Sequence, residues 1–349
     1  DWLDSGQCTD CFLPSFNYRP LSSVQYMMAL SNFEEGQGDK PLRFRFGFMA
    51  ASDNHSARPG TGYKEFARTA FAEARFGEFD RNPIDQRIEN PVTSHSEPFV
   101  EEDYPNRFAS IKETERQGSF FLNGGLVAVH SASRSRDAIW EALENKHVYG
   151  TSGPRILLWF DLLNGPDRAL PMGSALPFSA TPRFEERAVG AFEQKDGCPQ
   201  ESIRGLSPER LDRLCRGECY HASDTRHPIV AIEVVRIRPQ AQSGENLGDL
   251  IEDPWRRFEC EPRADGCAVR FEDPDYAEAG RDVLYYARAV QEATPAVNGA
   301  NLRAQFDAEG NVVRTSPCYG DYRTPFDDDC LAPVEERAWS SPIFLDQPR

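Results

Sequence analysis

The sequence lacks long apolar runs and has few positive charges. No stretch of the 349 residues approaches the roughly 20 consecutive apolar residues that a membrane-spanning helix requires. The 39 lysines and arginines stand against 56 acidic residues, which gives a formal net charge of -17. Such an excess of negative charge repels nucleic-acid phosphates and anionic membrane surfaces. The sequence therefore predicts a protein that has no membrane span and does not bind nucleic acid.

Internal repeats and low-complexity tracts are also missing, whereas apolar residues are plentiful. Hydrophobic residues make up 39% of the chain and aromatic residues 11%, which is enough to build a folded core. A chain of this length usually forms more than one domain. The patterning changes after Gly150, so we expect one domain over residues 1–150 and a second, β-rich domain over residues 151–349.

Nine cysteines are present, and most lie in polar, loop-like sequence. This distribution favours disulfides and an oxidising compartment, so we expect a periplasmic or secreted protein. Short-range pairs such as Cys260 with Cys267, and Cys318 with Cys330, fit this expectation, although spacing alone does not fix the connectivity. The odd count leaves one cysteine over. Zinc binding is the alternative for four of them, namely Cys8, Cys11, Cys215 and Cys219.

A carboxylate and an imidazole follow an apolar run near the start of the chain. Residues 41–52 alternate and then become small and apolar, which predicts a strand that enters a buried site. Asp53 and His55 come next, in a loop that contains Pro59 and Gly60. Side chains two residues apart on an extended segment face the same side and suit a divalent metal. The alternative is an aspartate that caps a turn beside a hydrogen-bonded histidine.

The remaining sequence predicts one clear helix and a series of strands. Ser135 is placed to cap a helix whose Ile139, Trp140 and Leu143 form an apolar stripe, which predicts packing against the core. After Gly150, runs rich in β-branched and aromatic residues alternate with loops, and such a series indicates a β-sandwich. These runs are residues 155–163, 228–239, 267–274, 282–292 and 341–345.

Several motifs resemble a known superfamily. The run FRFGFMAASDNHSARPG is similar to the late strand and Asp-x-His metal motif of the PHP (polymerase and histidinol phosphatase) superfamily. The stretch GGLVAVHSASRSRDAIWEALENKHVYGTSGPRI resembles the segment that follows there. The runs GRDVLYYARAVQEATPAVNG and ERAWSSPIFL resemble the DUF3604 branch. The resemblance implies an α/β plus β fold class: the C-terminal part of a PHP-type distorted (β/α) barrel, followed by a β-sandwich-like domain.

The same resemblance implies a metal-dependent hydrolase, most simply a phosphoesterase that uses metal-activated water on a small-molecule ester. Asp53 and His55 are then the metal ligands and catalytic residues, with Mn, Zn or Fe as the ion. Arg58 and Arg155 are the implied substrate contacts. The superfamily's His-x-His motif has no counterpart among the six histidines. The chain also begins at Asp1, so we expect an N-terminal segment that completes the site to be absent from it.

Other interpretations stay open at this point. A secreted, non-catalytic module that binds a glycan or a protein would also explain the β-rich half. Arg58 is equally typical of a solvated loop, and Arg155 of a structural ion pair. His130 lies at the end of a strand, where a hydrogen-bonded structural histidine is the alternative to a site residue. The acidic residues 327–329 suit either a structural calcium ion or a solvated surface.

Overall fold

A computed structural model describes residues 23–37, 40–51, 125–215, 218–297 and 331–348, residue 308, and short strands at 3–4, 17–18, 305–306 and 312–314. Strands predominate over helices, which confirms the β-rich character of the chain. None of the helices that the structure describes is long and apolar enough to cross a membrane.

The strands of the described residues are β1 (Leu3–Asp4), β2 (Asn17–Tyr18), β3 (Ser31–Gln37), β4 (Lys40–Arg43), β5 (Leu126–Val129), β6 (Val148–Thr151), β7 (Leu157–Leu162), β8 (Leu170–Pro171), β9 (Ala175–Pro177), β10 (Arg183–Val189), β11 (Phe192–Gln194), β12 (Ala222–Arg226), β13 (Ile229–Ile237), β14 (Ile251–Glu259), β15 (Cys267–Glu272), β16 (Val283–Val297), β17 (Gln305–Phe306), β18 (Val312–Arg314), β19 (Leu331–Ser340) and β20 (Ile343–Asp346). The helices are α1 (Val24–Ala29), α2 (Arg136–Glu144), α3 (Gln200–Gly205), α4 (Pro208–Cys215) and α5 (Tyr276–Ala279), with one 3₁₀ turn at Leu247–Leu250.

Two open sheets form the centre of the described structure. The larger sheet has the strand order β14-β13-β16-β19-β6-β5, and β20 pairs with β16 and with β9. The smaller sheet has the order β15-β10-β7-β8. All pairings are antiparallel except that of β20 with β9. Several neighbouring strands are far apart in sequence, such as β6 with β19 and β10 with β15, so long connections join them.

The main core lies between the inner faces of these two sheets. Phe184 of the smaller sheet meets Tyr285 of the larger one with ring centroids 4.8 Å apart. Phe271 lies 5.7 Å from Phe258 across the same interface. Aromatic rings at such separations bury large apolar areas and stabilise the pairing of the sheets. The two sheets therefore pack face to face around an aromatic core.

The other face of the larger sheet is covered by α1 and by residues 44–51. Met28 of α1 is fully buried together with Val235 and Leu284 of the sheet. Phe48 packs edge-on against Tyr286, with ring centroids 5.0 Å apart. The N-terminal segment is thus attached to the sheet by apolar contacts. Two ion pairs strengthen the attachment, Arg43 with Asp282 and Arg45 with Asp346.

The five strands expected after Gly150 are all present: β7, β13 and β15 lie in their predicted runs, whereas β16 and β20 begin in theirs and extend past them to Val297 and Asp346. The sequence predicted a strand over residues 41–52, and the structure corrects this prediction. The strand ends at Arg43, and residues 44–51 have no strand pairing. Their backbone groups form hydrogen bonds outside a strand ladder; for example, the Phe48 amide donates to the Ser341 hydroxyl at 3.0 Å.

The helix predicted behind Ser135 is confirmed in position but not in its packing. Ser135 caps α2 by accepting a hydrogen bond from the Ala138 amide at 3.2 Å. The predicted apolar stripe is wrong for Trp140, which is 61% exposed, and for Ile139, which is also exposed. Only Ala142 of this helix is buried, because α2 turns a small residue rather than its large ones toward the sheet.

Strands from both sides of Gly150 share the larger sheet, since β5 and β6 join it through the pairing of β6 with β19. The division into residues 1–150 and 151–349 stays a prediction. Every sheet that the structure describes is open. The PHP-type barrel is therefore not seen among these residues, and it also stays a prediction.

Candidate functional site

Most of the residues predicted to form the site lie outside the part of the chain that the structure describes. Asp53, His55 and Arg58 belong to this group, and Ala51 is the last described residue before them. The acidic residues 327–329 and the cysteines at 318 and 330 also lie outside it. The structure therefore describes the segment that leads to the Asp-x-His motif, but not the motif itself.

That segment forms one wall of a cavity of about 540 Å³, within the range of about 300–1,000 Å³ typical of small-molecule sites. The opposite side is the outer face of the larger sheet, and α1 closes one end. The apolar lining consists chiefly of Val24, Phe46, Phe48, Met49, Tyr286 and Trp339. A predominantly apolar cavity of this size suits an organic ligand.

Polar side chains at the sheet side of the cavity form a connected network. Gln25 donates to Asp253 Oδ2 at 2.6 Å and lies 2.7 Å from the Tyr286 hydroxyl. Arg288 Nη2 donates to Asp253 Oδ1 at 2.7 Å, and its Nε donates to Glu233. Arg288 is thus held between two carboxylates. Such shared hydrogen bonds fix the orientation of each member of the network.

A second guanidinium, that of Arg337 on β19, also lines the cavity. Arg337 is 5% exposed, and its Nη2 donates to Glu335 at 3.3 Å. Burial lowers the pKa of Arg337 from its ordinary value, and the positive charge of Arg288 lowers it further. Burial alone would also lower the pKa of Arg288, but Asp253, Tyr286 and Glu233 together raise it. Both groups are cationic at neutral pH.

Two glycines let the segment before Asp53 lie directly against the sheet. A β-carbon at Gly150 would come within 2.9 Å of the Ala50 β-carbon and 3.1 Å of the Ala50 amide nitrogen. A β-carbon at Gly125 would come within 3.0 Å of the Ala51 nitrogen. Larger residues would displace the chain, because separations this short are not tolerated between packed carbon atoms. Glycine on β6 and before β5 therefore sets the path by which residues 46–51 reach the motif.

Arg155 is described, and it lies away from the cavity lining. Its guanidinium carbon is 3.6 Å from the centre of the Tyr220 ring. This cation–π contact accounts for the orientation of the side chain without the predicted ion pair. Whether Arg155 contacts a substrate stays a prediction.

His130 is held by structural contacts. Its Nε2 lies 2.8 Å from the Leu158 carbonyl, so this nitrogen carries the proton and donates. Its ring centre is 5.3 Å from that of Tyr149. Burial lowers the pKa of the neighbouring His147, and His130 lowers it further. These contacts favour the interpretation of His130 as a structural, hydrogen-bonded histidine.

Two disulfides are formed among the described cysteines. Cys260 pairs with Cys267, as the spacing suggested, and Cys198 pairs with Cys219. Cys215 has a free thiol, although its sulfur and those of Cys198 and Cys219 all lie within 4.8 Å of one another. Such a cluster is close enough to hold a metal ion once it is reduced. In the disulfide-bonded form, Cys219 has no thiolate for the zinc site that the sequence left open; Cys8 and Cys11 lie outside the described residues.

The arginines of the cavity were missed by sequence reasoning, although the sequence carries a signal for one of them. Alternate residues of a strand share a face. Arg288 therefore lies on the same face of β16 as Leu284 and Tyr286, which are buried. A charged residue in register with buried apolar ones indicates a buried ion pair or a binding site.

Comparison with known proteins gives one family match. The profile of DUF3604, described as a protein of unknown function, matches residues 31–184, which is less than half of the chain. No curated protein and no solved structure matches the chain. The matched residues include the Asp-x-His motif, the segment that lines the cavity, and strands β3 to β9.

Proposed function

We propose that this chain supplies part of a periplasmic or secreted metal-dependent hydrolase of the PHP superfamily, acting on phosphate esters. The observation that carries the proposal is the course of residues 46–51, which line a ligand-sized cavity and lead in sequence directly to Asp53 and His55. The DUF3604 match over residues 31–184 includes both features. The two disulfides support an oxidising compartment.

The donor set of the motif fits a divalent ion. One carboxylate and one imidazole, from Asp53 and His55, suit manganese, zinc or iron. Such an ion, when bound, lowers the pKa of a water molecule and neutralises charge on a phosphoryl oxygen. We propose that an N-terminal segment completes the ligand set, because two protein ligands are fewer than a catalytic site normally uses. The barrel of the PHP fold would be completed by the same segment.

The residues of this chain have separate tasks in this proposal. Asp53 and His55 hold the ion. Phe48 and Trp339 exclude water from the cavity in which the ester would lie, and exclusion of water strengthens electrostatic interactions with the substrate. Arg58, which follows the motif in sequence, is the proposed contact for the phosphate oxygens near the ion.

The test uses the protein with its N-terminal segment present. Asp53→Ala and His55→Ala should each lower the metal content, measured by elemental analysis after mild dialysis, and abolish manganese-dependent hydrolysis of bis(p-nitrophenyl) phosphate. Asn54→Ala lies between them and is the matched control, because it leaves both ligands in place. Unchanged metal content in both ligand variants would remove the assignment. A protein that is metal-free and inactive but binds a glycan or a protein would support the non-catalytic alternative instead.

A further inference from the structure

Three cysteine sulfurs meet where the helical segment formed by α3 and α4 begins and ends. Cys198 lies just before α3, Cys215 is the last residue of α4, and Cys219 follows four residues later. The Cys215 sulfur lies 2.8 Å from the Cys219 sulfur and 3.6 Å from the Cys198 sulfur. The disulfide of Cys198 with Cys219 closes this segment without help from Cys215. We call these three residues the sulfur cluster, and the position of Cys215 in it calls for a further role.

The separations within the sulfur cluster suit one metal ion. Zinc binds a thiolate sulfur at about 2.3 Å, so sulfurs that share one tetrahedral zinc ion lie about 3.8 Å apart. The sulfurs of Cys198 and Cys215 already lie at nearly this separation, 3.6 Å. Cys219 is the ligand that has to move, because it is bonded to Cys198 in the oxidised chain. Once that bond is broken, the Cys219 side chain can rotate away from Cys198 and share the ion with both neighbours.

The surroundings of the sulfur cluster support thiolate ligands. Cys198 is only 7% exposed and Cys215 is partly buried, so access of bulk water to an ion held between them is limited. The Cys219 amide donates a hydrogen bond to the Cys198 sulfur at 3.2 Å. Amide hydrogen bonds stabilise negative charge on a ligand atom and fix its orientation at a metal. One ligand of the site is thus already oriented in the oxidised chain.

We propose that the sulfur cluster is a redox-gated zinc site, with Cys198, Cys215 and Cys219 as its three thiolate ligands. The disulfide-bonded form is the closed state, in which Cys215 alone carries a thiol. A dithiol reductant opens the site: the S–S bond between Cys198 and Cys219 breaks, both sulfurs become thiols, and the dithiol becomes a cyclic disulfide. Zinc then binds the three sulfurs and displaces their protons. A donor set of sulfur alone selects a soft ion over magnesium or manganese.

The proposal also accounts for the thiol of Cys215. Oxidation of three thiolates around one ion joins two of them and leaves the third without a disulfide, as the structure shows for Cys215. In the reduced chain the ion takes over from the disulfide and joins the same two ends of the α3–α4 segment. The segment therefore stays closed in both states, and zinc should raise the melting temperature of the reduced chain.

The test titrates zinc, in competition with a chromophoric chelator, into the full chain after reduction and anaerobic removal of the reductant. The Asp53→Ala/His55→Ala double variant is used throughout, so that the ion of the proposed hydrolase does not contribute. The reduced chain should bind one zinc ion at least about a hundredfold more tightly than the oxidised chain, because only the Cys215 ligand remains after oxidation. Equal zinc affinity in the two redox states would overturn the proposal and would leave the proposed hydrolase untouched.

Cysteine variants identify the ligands. Cys215→Ser keeps the disulfide of Cys198 with Cys219 in the oxidised chain and removes one ligand from the reduced chain. It should bind zinc at least about a hundredfold more weakly than the reduced parent, because two ligands are too few for a stable site. Cys260→Ser/Cys267→Ser is the matched control, since these cysteines form the other described disulfide and should leave the zinc affinity unchanged. Undiminished zinc binding by Cys215→Ser would refute the site.

Alkylation provides a readout that does not depend on affinity. In the reduced chain, zinc should protect Cys198, Cys215 and Cys219 from iodoacetamide, as peptide mass spectrometry would map. Glutathione disulfide, which becomes two molecules of glutathione, should then release the zinc and restore the pairing of Cys198 with Cys219. Equal alkylation of the three cysteines with and without zinc would refute the ligand assignment. Zinc that stays bound after the disulfide has formed again would refute the redox gate.

Discussion

Glu186 should make the stability of this protein fall as the pH rises. Its side chain is completely buried in β10 between Phe160 of β7 and Val269 of β15. Neither carboxylate oxygen has a hydrogen-bond partner among the described residues. Burial raises the pKa of Glu186 well above its ordinary value of 4.5, and the negative charge of Glu233 raises it further, against the opposing effect of Arg288.

The sign follows from proton binding. Above pH 4.5 the unfolded chain loses this proton, while the folded protein keeps it up to the raised pKa. The folded state then binds more protons, so the free energy of unfolding falls with pH by about 1.4 kcal/mol per unit. Stability from this group is fully present below pH 4.5 and is lost as the pH rises through the folded-state pKa.

Glu186→Gln keeps the shape of the neutral acid and removes the ionisation. We expect the variant to gain stability over the parent protein by about 1.4 kcal/mol for each pH unit above the unfolded pKa, until the folded pKa is passed. The assay is urea unfolding followed by tryptophan fluorescence at pH 5, 6, 7 and 8, at constant ionic strength. Glu185→Gln is the control for loss of charge, because Glu185 lies on the outward face of β10 and pairs with Arg270. Parallel pH profiles for Glu186→Gln and the parent protein would refute the reasoning.

Three further predictions concern the framework of the cavity and its surroundings. Gly150→Ala should lower the melting temperature, because its β-carbon would meet Ala50; Gly205→Ala, with no atom within 4 Å, should leave the melting temperature unchanged. Cys215 should be alkylated without reductant, as mass spectrometry would show, whereas the two disulfides should react only after reduction, with a loss of roughly 2–5 kcal/mol for each bond. Ser135→Ala should cost about 1 kcal/mol in urea unfolding through loss of the helix cap, and an unchanged midpoint would contradict it.

The strands could be predicted from the sequence because their pattern is local. In residues 228–239 isoleucine and valine predominate, as expected for β13, whose residues are buried on both faces of the sheet. The Ser135 cap was likewise predictable from one side chain and the helix behind it. Packing of α2 was not, because its apolar Ile139 and Trp140 are exposed while Ala142 is buried. The local sequence pattern shows which face of a helix is apolar, but only the tertiary fold determines which neighbouring elements that face can contact.

The candidate site was harder to predict because it depends on contacts across large sequence separations. Residues 44–51 fit a strand by composition, but they follow the sheet surface without pairing, because glycines on β6 and before β5 permit a close approach. Cys198 and Cys219, 21 residues apart, could not be paired by spacing alone.

Buried charge is concentrated in two groups of side chains on the larger sheet. Arg236 is 5% exposed and bonds to Asp273 at 2.8 Å and to Glu252, and Tyr285 donates to Asp273 at 2.6 Å. This group satisfies its own charges and requires no ligand, because each ion has a partner. The guanidiniums at the cavity are engaged in the same way, because Arg288 bonds to Asp253 and Glu233 and Arg337 bonds to Glu335. Neither group therefore needs a bound ligand to balance its charge.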